Sequence, residues 1–111
     1  MNYKIGVDIV EIKRIQLDAD FICRILTDQE QQQYSQLKSL KRQKEYLAGR
    51  YAGKEAIYKA LNDPQYLSYG ILNDEDGRPY VIGHPEIQIS LSHDGPMAIA
   101  FVLAEEKPGK E

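Results

Sequence analysis

Apolar and polar residues alternate at the start of the chain in a pattern that predicts a β-strand. Across residues 5–10, Ile5, Val7 and Ile9 occupy one face, and the period of two continues to about Glu11. We expect the apolar face to be turned toward the core. Asp8 would then point the other way, beside a glycine that leaves room for a bulky neighbour.

Helical spacing of the apolar residues begins further along the chain. It predicts a short helix over residues 21–26 and a long one over residues 40–61. Between them, Thr27 and Glu30 have the spacing of a capping box, which predicts a helix over residues 28–37. The Asn-Asp-Pro segment at 62–64 ends the long helix, because proline disfavours helical geometry in the residue before it.

The second half of the chain has the pattern of antiparallel strands. Residues 69–72 and 79–82 flank a polar turn and predict a hairpin. A strand beginning at Ile87 and an almost wholly apolar strand over residues 97–104 follow, joined by Asp-Gly-Pro. Together the elements predict one small α+β domain over residues 1–111, with a frayed tail at 107–111.

Composition and charge narrow the class of protein. A single cysteine excludes an internal disulfide framework and a zinc cluster built on cysteines, and favours a reducing cytoplasm. The net charge of −3 argues against generic nucleic-acid binding. It is unevenly distributed, because residues 1–60 carry +3 and residues 61–111 carry −6. The basic half suits an acidic partner or a phosphate-rich ligand, although chance variation also explains it.

Carboxylates are the first candidates for chemistry. Asp8 is either an edge-strand carboxylate facing water or part of a site. On the long helix, Glu55 and Lys59 fall on one stripe with alanines, while Arg50 and Lys54 form the only clearly polar strip. Because so apolar a helix is largely buried, we expect Glu55 and Lys59 to be buried with it. The alternative is an exposed i,i+4 ion pair.

The segment Ser-Leu-Ser-His-Asp at residues 90–94 ends a strand and opens a turn. Its hydroxyls either satisfy the backbone of an ordinary turn or, with His93, donate to phosphate oxygens. Two carboxylates without cysteines or paired histidines favour Mg²⁺ over zinc, since Mg²⁺ prefers oxygen ligands and is often shared with substrate phosphates. From the residues alone, a Mg²⁺–phosphate site is one possibility.

Several segments resemble the holo-acyl-carrier-protein synthases, the short single-domain type of the 4′-phosphopantetheinyl transferase family. Residues 5–12 (Ile-Gly-Val-Asp-Ile-Val-Glu-Ile) are similar to the family's opening strand, and residues 46–61 to its long helix with a Lys-Glu-Ala…Lys-Ala core. Residues 26–30, 77–79 and 89–94 resemble its helix start, later hairpin and Ser-x-Ser-His strand end. The segments follow the family's order and cover nearly the whole chain.

The resemblance implies a fold and a metal site. The fold is a small domain with an antiparallel sheet packed on a long helix, which assembles as a trimer with active sites between subunits. The metal site is built from Asp8 and Glu55 and holds Mg²⁺, and Lys59 contacts the transferring phosphate.

The resemblance also implies the reaction and its substrates. The 4′-phosphopantetheine group moves from coenzyme A to a serine of an apo-acyl carrier protein, and the holo-carrier serves fatty acid and lipid synthesis. Arg50 and His93 help to hold the phosphates of coenzyme A, and Ser92 belongs to the same motif. One of the two carboxylates, directly or through a metal-bound water, takes the proton of the serine.

The carrier is a small, acidic helical protein in this interpretation. Lys13, Arg14 and Arg24 follow the Asp8 strand, so we predict that they contact acidic residues of the carrier. The alternative is that they are solvated surface charges.

Two other functions are compatible with parts of the pattern. One is a Mg²⁺-dependent phosphodiesterase that uses the same carboxylates on another phosphate ester, for which no protein acceptor is needed. The other is a small α+β oligomer that binds a nucleotide as an interaction module, for which loss of Asp8 would not matter.

Overall fold

The computed structural model describes residues 2–106, so the predicted tail at 107–111 lies outside the described residues. Every predicted helix and strand within this range is present. The helices are α1 (Ala19–Ile25), α2 (Asp28–Ser35) and α3 (Leu40–Leu61). The strands are β1 (Tyr3–Glu11), β2 (Ile71–Asn73), β3 (Pro79–Val81), β4 (Ile87–Asp94) and β5 (Met97–Glu105). Short 3₁₀ turns lie at Ile12–Arg14 and Tyr66–Ser68.

The strands form two antiparallel sheets. The larger has the order β1-β5-β4, and β2 pairs only with β3 in a separate hairpin. In the larger sheet, Asp8 lies opposite Ala100 and Val7 lies opposite Phe101. The inner face of this sheet packs on α3, where small buried residues of the helix meet small buried residues of β5. The α+β class and the antiparallel sheet packed on a helix are therefore confirmed.

Helix ends follow the signals in the sequence. The Thr27 hydroxyl accepts from the Glu30 N–H at 3.3 Å, and the Glu30 carboxylate accepts from the Thr27 N–H at 2.8 Å, which confirms the capping box. Helix α2 stops at Ser35, two residues before the predicted end. Helix α3 has the predicted bounds, and Asn62 closes it with a φ of 58°, in the left-handed region that asparagine tolerates.

The packing of α3 on β1 depends on Gly6. A Cβ at this position would lie 1.9 Å from the Ala56 carbonyl oxygen, so no other residue fits without moving the helix. The bulky neighbour for which the glycine leaves room is thus α3 itself. The close approach also places Asp8, two residues further along the same face of β1, beside the last turns of the helix.

The predicted orientation of β1 is wrong. Ile5, Val7 and Ile9 are 62%, 48% and 58% exposed, whereas Gly6 is buried beneath α3. On the neighbouring strand β5, Ile99 and Phe101 are exposed on the same side. The larger sheet therefore presents an apolar outer face, which we define by Ile5, Val7, Ile9, Ile99 and Phe101.

The predicted orientation of α3 is wrong in two respects. Arg50 and Lys54, predicted to form the polar strip of a largely buried helix, are themselves only 6% and 1% exposed and have partners inside the protein. The Lys59 side chain, expected to be buried, is 54% exposed, while Glu55 is partly buried. In residues 2–106 no helix combines the length and apolar character needed to cross a membrane.

Candidate active site

Asp8 and Lys59 form the first contact of the site. The Lys59 ammonium donates to Asp8 Oδ1 and to the Val7 carbonyl oxygen, each at 3.1 Å. This contact links the end of α3 to the middle of β1. An ammonium has three donors, so within the described residues one donor of Lys59 is left for a ligand.

Glu55 lies one helical turn before Lys59 and lines the same cleft as Asp8, which has a volume of about 540 Å³. Tyr51 also lines this cleft. Burial raises the pKa of the Tyr51 hydroxyl, and the negative charges of Glu55 and Asp8 raise it further. We call this cavity the carboxylate cleft.

A tyrosine that the sequence did not single out contacts Glu55. The Tyr66 hydroxyl, from the 3₁₀ turn after α3, donates to Glu55 Oε2. Burial raises the pKa of Tyr66, and the bond to the Glu55 carboxylate adds to the increase. No sequence signal reveals this contact, because it depends on how the chain folds back after Asn62.

Two arginines line the carboxylate cleft together with the four carboxylates of Asp8, Glu11, Asp18 and Glu55. Arg14 and Arg24 line it, and the Arg24 guanidinium lies 5.9 Å from the centre of the Phe21 ring, which also lines it. Lys13, the third residue predicted to bind a carrier, extends instead toward Glu11 at 3.4 Å and is highly exposed. The structure thus places two of these three basic residues beside the carboxylates.

The remaining predicted residues lie in a second cleft of about 270 Å³, which Arg50, Ser92 and His93 line. We call it the arginine cleft. Arg50 is held firmly there, because its Nε donates to the Ile71 carbonyl at 3.1 Å and its Nη2 to Asn73 Oδ1 at 2.8 Å. Its guanidinium also stacks 4.2 Å from the centre of the Tyr46 ring.

Arg50 and His93 both have ionisable neighbours in or near the arginine cleft. Burial lowers the pKa of Arg50, and nearby Tyr46 and Glu30 partly offset that decrease. Burial also raises the pKa of Tyr46 to about 12. His93 Nε2 lies 3.8 Å from Glu45 Oε2, so protonation of this histidine would create an ion pair at the mouth of the cleft.

The two clefts are separate within one chain. Glu55 and Arg50 are five residues apart on α3, which places them about 140° apart around the helix axis. Asp8, Glu55 and Lys59 therefore lie together at the carboxylate cleft. Arg50, Ser92 and His93 lie together at the arginine cleft.

The donor set suits Mg²⁺. Within residues 2–106 no group of three or more histidine, cysteine or acidic side chains is placed to hold a metal ion. Asp8 and Glu55 both line the carboxylate cleft. Mg²⁺ commonly binds through one or two carboxylates and completes its shell with waters and substrate phosphates, so Asp8 and Glu55 fit a cation that is shared with a phosphate ligand.

Comparisons with known proteins agree with the resemblance in the sequence. The family model of the 4′-phosphopantetheinyl transferase superfamily matches residues 4–104. A holo-[acyl-carrier-protein] synthase of Geobacillus sp. (strain WCH70) is 41% identical, with 91% of this chain and 94% of that protein covered. One from onion yellows phytoplasma (strain OY-M) is 38% identical, with 94% of each covered.

Solved structures of similar proteins have the same fold. A holo-(acyl-carrier-protein) synthase from Bacillus anthracis str. Ames, in complex with CoA (3′,5′-ADP), superposes with a TM-score of 0.83 at 37% identity. That comparison covers 94% of this chain and 96% of the other. The corresponding synthase from Neisseria meningitidis gives a TM-score of 0.81 at 30% identity, covering 93% and 98%.

Proposed function

The chain belongs to the 4′-phosphopantetheinyl transferase superfamily, and we propose that it transfers 4′-phosphopantetheine from coenzyme A to a serine of an apo-acyl carrier protein. Its products would be holo-acyl carrier protein and 3′,5′-ADP. One observation carries the proposal beyond the family: Asp8 and Glu55 share a cleft with Arg14 and Arg24, and Lys59 contacts Asp8. Anionic substrates and a hard cation both find partners in this cleft.

The residues of the carboxylate cleft account for the chemistry. The serine oxygen attacks the phosphorus that carries the pantetheine arm, and the bond from that phosphorus to the bridging oxygen breaks. The serine proton passes to Asp8 or Glu55, directly or through a water, and 3′,5′-ADP leaves with the electron pair. Lys59 offers its remaining donor to a phosphate oxygen. A Mg²⁺ ion bound by Asp8 and Glu55 would offset negative charge on the pyrophosphate.

Coenzyme A would use the arginine cleft for its remaining phosphates. Arg50 is held with its guanidinium at the cleft wall, beside Ser92 and His93, so two cationic or potentially cationic groups face one cavity. Such groups bind phosphate well when they are fixed before the ligand arrives.

The separation of the clefts supports a trimer with active sites between subunits. A single chain holds the carboxylates and the phosphate-binding residues in different clefts. The apolar outer face borders Ser92, which lies opposite Ile99 in the register of β4 and β5. Contact between chains through this face would therefore bring residues of the arginine cleft to a subunit boundary, where a neighbour's carboxylate cleft can meet them.

The two arginines that line the carboxylate cleft suggest how the carrier binds. Arg14, Arg24 and the more distant Lys13 would contact acidic residues of the carrier, chiefly raising the rate of encounter. We further propose that residues 1–111 form a single transferase domain, that the protein acts in the cytoplasm, and that the holo-carrier it produces serves fatty acid and lipid synthesis.

Replacing both Arg14 and Arg24 with alanine is expected to weaken use of the carrier more than binding of coenzyme A. Loss of two positive charges from the lining of the cleft reduces electrostatic attraction, so KM for the carrier should rise several-fold and depend less on salt. Steady-state kinetics with each substrate varied measure this directly. The double variant Lys38→Ala/Arg78→Ala, which removes the same charge from exposed positions elsewhere, serves as the control. Equal losses for both substrates would contradict the assignment.

The test of the function is a mass spectrum of apo-acyl carrier protein after incubation with this protein and coenzyme A. We expect the carrier to gain one phosphopantetheine group in the presence of Mg²⁺ and none in EDTA. Asp8→Asn and Glu55→Gln should each abolish the gain while the variants remain folded. Hydrolysis of phosphate esters without a carrier would favour a phosphodiesterase instead. Coenzyme A binding without any transfer, unaffected by loss of Asp8, would favour a binding module.

A further inference from the structure

The hydroxyl of Tyr66 contacts Glu55, a residue of the carboxylate cleft, from a segment that does not itself line that cleft. Helix α3 ends at Leu61, Asn62 reverses the chain, and the 3₁₀ turn Tyr66–Ser68 lies back against the helix. There the phenol donates to Glu55 Oε2, across eleven residues of sequence. The contact therefore depends on the connection after the helix.

Aromatic packing fixes the ring that makes this bond. The Tyr66 ring lies 6.3 Å from the ring of Tyr51 at an angle of 71°, and Tyr51 lies 5.4 Å from Phe21 at 64°. These edge-to-face contacts join α1, α3 and the 3₁₀ turn. A hydroxyl on a ring held in this way has little freedom to leave its partner.

A hydrogen bond to one oxygen of a carboxylate also restricts the direction in which the other oxygen points. A glutamate side chain has three rotatable bonds, and ordering it on binding a ligand costs free energy. Tyr66 engages Oε2 of Glu55, which lines the carboxylate cleft, and so restricts this side chain. Groups that hydrogen-bond to metal ligands typically change metal affinity or activity by about 10- to 100-fold when removed.

We propose that Tyr66 is a positioning residue, which orients the Glu55 carboxylate for the divalent cation of the reaction. The inference rests on the proposed function of the carboxylate cleft. Tyr66 itself touches neither substrate nor cation in this assignment and acts only through Glu55.

Mn²⁺ binding to the full chain tests the assignment without turnover. Titration in the presence of coenzyme A and without carrier, followed by the electron paramagnetic resonance signal of free Mn²⁺, gives the Kd. Tyr66→Phe keeps the ring and removes only the hydroxyl, and we expect Kd to rise about tenfold. Tyr69→Phe is a matched control, because Tyr69 also donates to a carboxylate, that of Asp63, which lines a different cavity. Its Kd should equal that of the wild type.

Glu55→Gln separates failure of the inference from failure of the proposed site. If Glu55→Gln abolishes binding and Tyr66→Phe leaves Kd unchanged, Tyr66 has no positioning role and the site stands. If Glu55→Gln leaves Mn²⁺ binding intact, both the proposed metal site and the proposed role of Tyr66 are contradicted. In transfer assays, the Mg²⁺ concentration for half-maximal rate should rise about tenfold in Tyr66→Phe, with kcat restored at saturating Mg²⁺. A loss of kcat that saturating Mg²⁺ does not restore would overturn the proposal.

Discussion

Glu30→Ala is expected to lower the free energy of unfolding by about 3–5 kcal/mol, because it leaves a buried ammonium without its counter-ion. Glu30 is fully buried, and its Oε1 lies 2.6 Å from the Lys54 ammonium. The same carboxylate accepts from the backbone N–H groups of Thr27 and Ile71 at 2.8 and 2.7 Å. Alanine removes every one of these acceptors. Urea unfolding at a fixed protein concentration measures the change.

A double-mutant cycle distinguishes the ion pair from other effects of the substitution. Glu30→Gln keeps the shape and one acceptor but loses the charge, and Lys54→Met in that background removes the stranded ammonium. We expect the second change to recover part of the lost stability, since replacing both members of a buried pair costs less than breaking it. Glu75→Ala, in an exposed turn, should change stability by less than about 0.5 kcal/mol. Additive losses in the cycle would contradict the assignment.

The Glu30–Lys54 pair also matters for the site. Lys54 immediately precedes Glu55, and its ammonium is fixed by Glu30 and by the Ile25 carbonyl, both at 2.6 Å. Arg50, one turn earlier, is fixed by the Ile71 carbonyl. Together with the Gly6–Ala56 contact, these bonds fix the rotation of α3 about its axis. In this orientation Glu55 lines the carboxylate cleft and Arg50 lines the arginine cleft.

The helices and strands could be predicted from the sequence because their signals are local. The capping box at Thr27 and the left-handed Asn62 fix helix boundaries through a few neighbouring residues. The antiparallel strands follow from period-two patterns and short turns. The resemblance to the family's motifs, which follow the same order along the chain, predicted the arrangement of these elements and the candidate site residues.

The side of β1 that faces α3 could not be predicted from its pattern. An apolar face predicts burial, but it does not say whether the protein's own core or another surface covers it. Ile5 and Ile9 are exposed in this chain, whereas Gly6 and Asp8 lie on the helix side. The deciding factor is the close approach of the Ala56 carbonyl oxygen, which would lie 1.9 Å from a Cβ at Gly6. This is a tertiary contact without a local signal.

The buried charges of α3 were also beyond prediction from local pattern. Arg50 and Lys54 are charged residues, and such residues are rarely fully buried, so their type favours exposure. Their burial depends on acceptors from distant segments, such as Glu30 and the Ile71 carbonyl. The bond from Tyr66 to Glu55 is of the same kind. Each joins residues that only the folded chain brings together.

Phe101→Lys is expected to convert an assembled protein into monomers and to remove most of its transfer activity. Phe101 lies at the centre of the apolar outer face, opposite Val7, and is 46% exposed in the single chain. Loss of a covered aromatic side chain costs ~1.5–3 kcal/mol, which is roughly a 10- to 100-fold change in an equilibrium constant. A buried ammonium adds to the cost. Sedimentation velocity should give a mass near three times 12.7 kDa for the wild type and 12.7 kDa for the variant.

Tyr80→Lys provides a closely matched control for this substitution. Tyr80 is also aromatic and is 44% exposed, but it lies on β3, outside the larger sheet. Its replacement should leave both mass and activity unchanged. Dissociation by Tyr80→Lys, or a monomeric wild type that transfers at full rate, would contradict assembly through the apolar outer face.

Active sites shared between chains predict that two inactive variants can restore activity in a mixed trimer. A trimer with a complete site in each chain does not predict this. Asp8→Asn and His93→Ala inactivate different clefts, so each variant alone should be inactive. If the carboxylate cleft of one chain meets the arginine cleft of its neighbour, mixed trimers of the two variants contain some boundaries with both residues intact. Co-expression with separate affinity tags, followed by selection for both tags, isolates these mixed trimers. Recovered transfer activity would show that the active site is formed by two chains. Inactive mixed trimers would contradict a shared site and favour a site within one chain.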